Sequence, residues 1–107
     1  MTQITLEVPD TLAALPEHER SLLILAGLRK ATNARIHQLE TEIIESEEHI
    51  QRFETRYGLP FARFETELLP SLNTHQGHED YNDWFFWEQV RTEKRSLLTG
   101  LQKVELD

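Results

Sequence analysis

Hydrophobic positions define the first element of this chain. Ile36, Leu39, Ile43, Ser46, Ile50, Phe53 and Tyr57 follow one another at alternating steps of three and four, the spacing that keeps one stripe of a helix against a partner helix. Ahead of this stripe, Leu22, Leu23, Ile24, Leu25, Ala26 and Leu28 are apolar nearly all round, which predicts a segment buried on more than one side. Pro16 suits a first helical turn, where Glu17 and Glu19 complement the positive end of the helix dipole. Gly58 followed by Leu59-Pro60 supplies the stop. A helix over 16–57 follows, about 60 Å long at 1.5 Å per residue. Such a rod needs a second long helix.

The pattern after Gly58 provides one. Phe61, Phe64 and Leu68 share a face and predict a short helix over 60–69, closed by Pro70. Residues 71–77 read as a loop. A helix over 79–104 then carries Trp87, Val90, Lys94, Leu97, Leu101 and Val104 at seam spacing, with Gly100 weakening its last turn. Two antiparallel helices joined by a helical corner result, with Phe53 and Tyr57 near Trp84 and Trp87, and Leu39 near Leu101. At the other end, Thr2 to Val8 sets Gln3, Thr5 and Glu7 on one side and Ile4, Leu6 and Val8 on the other, the alternation of a strand over 2–8 with one buried face. A lone strand must pair, either with its own copy or with a partner's sheet edge. Pro9-Asp10 ends it, and Asp10 or Thr11 can cap a short helical turn reaching Leu15. The expected fold is mainly α, a long antiparallel helical hairpin with a short corner helix and one N-terminal β-strand, in a single domain over 1–107.

Length and charge sharpen this picture. A chain of 107 residues builds one modest core, so dimerisation is a natural supplement. Cysteine is absent, which removes disulfides and thiolate sites and fits a cytoplasmic protein. The longest apolar run, Leu22 to Ala26, is far shorter than a membrane span, and Met1-Thr2-Gln3-Ile4 lacks a signal-peptide pattern. The net charge is -8, and residues 40–80 hold ten acids against three bases. Phosphate neutralisation needs Lys and Arg, so this surface suits a basic protein better than direct contact with nucleic acid.

Candidate chemistry is sparse. Glu42, Glu45 and His49 lie on one helical face, but the Glu-x-x-His spacing of a di-iron bundle is missing before every histidine; a solvated charged face is the reading kept. His75, His78, Glu79 and Asp80 can bind Zn²⁺ or Ni²⁺ adventitiously, although an acid there also suits the first turn of a helix. No Gly-rich phosphate loop, nucleophile elbow or His/Asp/Ser arrangement is present, so no catalytic residue, cofactor or resident metal is expected. The acidic run Glu40, Glu42, Glu45, Glu47 and Glu48 is either a soluble face or a dock for a basic surface. All nine aromatic residues fall between Phe53 and Trp87. They cannot all face one seam, so some of Trp84, Phe85 and Phe86 should point outward to a partner. The expected partner-binding set is Gln3, Thr5 and Glu7 on the strand, Glu40, Glu45 and Glu48 on the long helix, and Trp84, Phe85 and Phe86.

The stretches Arg56-Tyr57-Gly58-Leu59-Pro60-Phe61-Ala62-Arg63-Phe64-Glu65 and Glu79-Asp80-Tyr81-Asn82-Asp83-Trp84-Phe85-Phe86-Trp87-Glu88 resemble a group of small prokaryotic antitoxin-like proteins from two-gene toxin-antitoxin modules. That resemblance covers residues 30–90. It implies a non-enzymatic protein that neutralises a cognate toxin enzyme by masking its active site. The N-terminus is similar to the opening of ribbon-helix-helix antitoxins, but only seven residues separate Val8 from Pro16, and Gln3, Thr5 and Glu7 offer no Arg or Lys to DNA. The alternatives are a self-assembling homodimeric structural protein, or a DNA-binding autoregulator acting through the strand.

Overall fold

The computed structural model describes residues 10–104. They form α1 (Asp10–Ala13), α2 (Glu17–Tyr57), α3 (Phe61–Arg63) and α4 (His75–Gln102). Between α3 and α4 run a π-helical turn over Phe64–Leu68 and a 3₁₀ turn over Leu69–Ser71. No strand occurs among the described residues; the one expected over 2–8 lies outside them. No helix in the described residues is long and apolar enough to cross a membrane. The described residues divide into two units, 10–34 and 35–104. Each unit is taken by itself.

In the first unit, the Arg20 guanidinium donates to the Ala13 carbonyl (3.0 Å) and ties α2 to the end of α1. The apolar start of α2 departs from expectation. Leu22 and Leu23 are 49 % and 51 % exposed, and no residue of α2 before Leu39 is buried. Only α1, four residues long and without a buried residue, is available among the described residues of this unit to cover that stretch.

The second unit is the helical hairpin. As the α2 position advances from Glu42 through His49 and Phe53 to Arg56, its α4 partner retreats from Lys94 through Trp87 and Trp84 to Asp80, so the two helices run antiparallel. The α2 stripe is as its spacing predicts: Leu39, Ile43, Ser46 and Ile50 are buried, and Ile36, Phe53 and Tyr57 are half-buried. Phe53 and Tyr57 both stack on Trp84.

The α4 seam differs from the expected one. Its inward line is Gly77, Asp80, Trp84, Trp87, Arg91, Lys94, Leu98 and Leu101, all buried or half-buried and again at steps of three and four. Leu97 and Val104 are 51 % and 45 % exposed. The two readings share Trp87, Lys94 and Leu101. Val90 of the expected seam is half-buried like Arg91 beside it, whereas at the next turn the fold turns Leu98 inward in place of Leu97.

The corner follows from backbone chemistry. Gly58 sits at φ +69° and its N–H donates to the Glu54 carbonyl (2.7 Å), a left-handed helix cap. Pro60 opens α3, its carbonyl accepting from the Arg63 and Phe64 N–H groups. Pro70 has no N–H to give Thr66, and the Leu69 N–H reaches back five residues to the Phe64 carbonyl, widening the turn to π geometry. Pro70 does not close the helix at 69 but sits inside the 3₁₀ turn. Residues expected to be loop up to Gly77 already belong to α4, because the Thr74 hydroxyl accepts from the Gly77 N–H (3.0 Å) as N-cap. Gly77 has no room for more: a Cβ there would meet Thr74 Oγ1 at 2.9 Å and Leu72 Cδ1 at 3.2 Å.

Gly58→Ala forces an alanine into the left-handed region and is expected to lower stability by about 1 kcal/mol. Gly100→Ala, in a helix with nothing within 4 Å of the new methyl, is expected to raise it by up to about 1 kcal/mol. Urea unfolding of the two variants beside the parent measures both shifts.

Candidate interaction surface

The corner holds the dry core. Ile50, Phe64 and Trp84 are buried together, with Phe53, Tyr57, Phe61, Leu68, Leu72, Tyr81 and Trp87 packed around them. Trp84 is fully buried, and its indole N–H has no partner among the described residues. The surrounding rings pack at tilted or offset angles, Phe64 at 5.0 Å and Phe61 at 5.3 Å between centroids, the arrangement aromatic quadrupoles favour. Trp84 therefore does not serve as the outward ring that its place in Tyr81–Trp87 allowed. Phe85 and Phe86 do point out, 43 % and 55 % exposed.

Next to this core lies a buried carboxylate. Asp80, 3 % exposed, accepts hydrogen bonds from Arg56 Nη1 (2.7 Å), Tyr57 Oη (2.5 Å) and Gln76 Nε2 (2.8 Å). It is not a first-turn residue complementing the helix dipole, since α4 begins five residues earlier at His75. Burial alone would push the Asp80 carboxyl up; the hydrogen bonds from Tyr57, Arg56 and Gln76, with the Arg56 charge, overcome this and hold it below the usual carboxylate value. Burial and then the bond to Asp80 raise the Tyr57 phenol. Nearby, Tyr81 donates to Glu65 (2.7 Å), and that bond, ahead of burial, raises its phenol too. This network joins the two quoted stretches around Tyr57 and Tyr81. The spacing of neither stretch alone could reveal it.

Further along the hairpin the seam is polar. Glu42 lies 3.1 Å from Lys94 and 3.6 Å from Arg35, and the His49 imidazole lies flat on Trp87, 3.9 Å between centroids and 4° between planes. Glu47 pairs with Arg95 (3.1 Å). Glu88, held by Arg91 at 2.7 Å, has its carboxyl pushed up by burial. The acidic run thus splits. Glu42 and Glu47 meet cations of α4, while Glu40, Glu45 and Glu48 are exposed and take part in no ion pair among the described residues.

The two metal arrangements weighed from spacing do not assemble. Glu42 and His49 are engaged as just described, and His75 Nε2 lies 2.8 Å from Glu79 on an exposed turn. No group of three or more potential ligands is gathered among the described residues. Gln3, Thr5 and Glu7 lie outside those residues. What the hairpin offers is a surface of outward rings and of carboxylates in no ion pair among the described residues. Set against protein-family models, curated proteins and solved structures, the chain matches none.

The lowered Asp80 carboxyl makes stability pH-dependent with a definite sign. Its folded value lies below its unfolded one, so the stabilisation is complete above about pH 4 and is lost as pH falls through the folded value. Asp80→Asn is expected to cost about 1–3 kcal/mol at pH 7, and the gap from the parent should narrow as the buffer is taken below about pH 4. Denaturant unfolding of both proteins at neutral and acid pH measures it.

Proposed function

We propose that this chain is a non-enzymatic protein-binding module, the antitoxin of a two-gene module, whose partner is a basic toxin enzyme that it neutralises. The observation that supports docking is the exposure of Phe85 and Phe86 on α4, on a hairpin whose Glu40, Glu45 and Glu48 are exposed and in no ion pair among the described residues. Rings in such settings anchor interfaces, and unpaired carboxylates steer and select a cationic partner. The toxin as partner rests on the resemblance around Tyr57 and Tyr81.

A second reading has its own observation. Leu22, Leu23 and their apolar neighbours have little cover among the described residues of their unit, which favours burial against a second copy in a homodimeric structural protein.

Co-expression with the product of the adjacent gene, affinity capture and mass measurement by light scattering separate the two. The binding reading expects a stoichiometric complex whose association slows steeply between about 0.05 and 0.5 M salt. Capture without any stoichiometric partner, or a homodimer whose mass the partner leaves unchanged, overturns it in favour of the structural protein.

A further inference from the structure

Helix α4 carries more apolar surface than the hairpin uses. Its inward line passes through Trp84, Trp87, Arg91 and Lys94, yet Val90, Leu97 and Val104 recur every seven residues beside it, with Phe86 one turn before Val90. Phe86 is 55 % exposed, Leu97 51 % and Val104 45 %, while Val90 is half-buried between the two lines. A helix bearing two ridges at heptad spacing packs against two neighbours. Helix α2 takes the first ridge.

Charge around the second ridge selects its occupant. Asp83 lies one turn before Phe86 and Trp87, and Glu93 sits between Val90 and Leu97; both are exposed and in no ion pair among the described residues. Across the seam, Glu45 is one turn from Glu42 and His49, the residues that meet Lys94 and Trp87, and it too is exposed and unpaired. Most cations along this side are engaged, Lys94 and Arg35 with Glu42 and Arg56 with Asp80; Arg52, one turn from His49, is exposed and is the one cation of this flank in no ion pair among the described residues. A second copy of the chain would bring the same three carboxylates against a single available arginine, Arg52, and an occupied lysine. Building on the protein-binding reading above, we infer that the Phe86–Val90–Leu97 ridge is the docking site for a basic amphipathic helix of the partner protein. Its apolar residues lie along the ridge, and Lys or Arg on its shoulders meets Asp83, Glu93 and Glu45. This is helix-on-helix recognition with an electrostatic rim.

The probe is a synthetic amphipathic helix of about 18 residues, with leucines on one face and Lys and Arg on the other, beside a scrambled peptide of the same composition. Calorimetry gives affinity and amide shifts give the footprint. The expected result is binding centred on Phe86, Val90 and Leu97 that weakens at least about tenfold in Leu97→Glu or Phe86→Gln. Phe85→Gln, whose ring packs with Phe61 and Tyr81 on the other flank, should change it less than about twofold. Circular dichroism of each variant verifies that the hairpin is intact. Equal binding of the scrambled peptide, unchanged affinity in Leu97→Glu, or a homodimer of the free chain with the ridge as its interface overturns the assignment. If the co-expressed partner is captured equally by Leu97→Glu, the ridge is the wrong surface while the protein-binding reading stands; if no partner is captured by the parent chain, that reading itself falls.

Discussion

The Asp80 carboxylate constrains the hairpin more tightly than any apolar contact. A stripe of leucines tolerates a small slide or rotation, because apolar contact is nearly non-directional. A buried carboxylate with three donors at 2.5–2.8 Å does not. Arg56 and Tyr57 end α2 and Gln76 begins α4, so one acceptor fixes where the last turn of one helix meets the first turns of the other. If the donors moved away, a charge would remain in a dry site, which costs more than the bonds contribute. Trp84, one turn further along α4, then packs at the height of Phe53 and Tyr57.

The polar seam beyond the corner extends the same logic. Glu42 with Lys94 and Arg35, and His49 on Trp87, put polar contacts on the seam between the helices. Ion pairs of this kind add little net stability, because desolvation offsets attraction. The cross-helix pair does set register, since a slip by one turn would bring Glu42 away from Lys94. The energy comes from the aromatic end, and the seam specifies how the rods align.

How far the fold was legible depended on the residue types along each line. The α2 stripe was legible because six of its seven members are apolar, and Ser46 satisfies itself on the Ile43 carbonyl at 2.7 Å. The α4 line was obscured because Asp80, Arg91 and Lys94 stand on it while Val90 and Leu97 stand beside it; a hydrophobic pattern cannot foresee that charged residues find partners across a hairpin. The Gly58 corner was legible from its dipeptide context, whereas the start of α4 was hidden by a glycine in its first turn. Of the surface, Phe85 and Phe86 followed from overcrowding in Tyr81–Trp87, but which ring would turn inward depended on packing around Phe64. The division of the acidic run needed the antiparallel pairing with Lys94 and Arg95, which no single stretch contains.

The two indoles of the chain occupy unlike settings. Trp84 is sealed in the corner, and its near-ultraviolet signal accordingly follows closure of the hairpin. Trp87 has one face roofed by the His49 imidazole at 3.9 Å, so its surroundings change when α2 and α4 part at that height. The chain thus contains an intrinsic optical gauge halfway along its seam, readable without any attached dye.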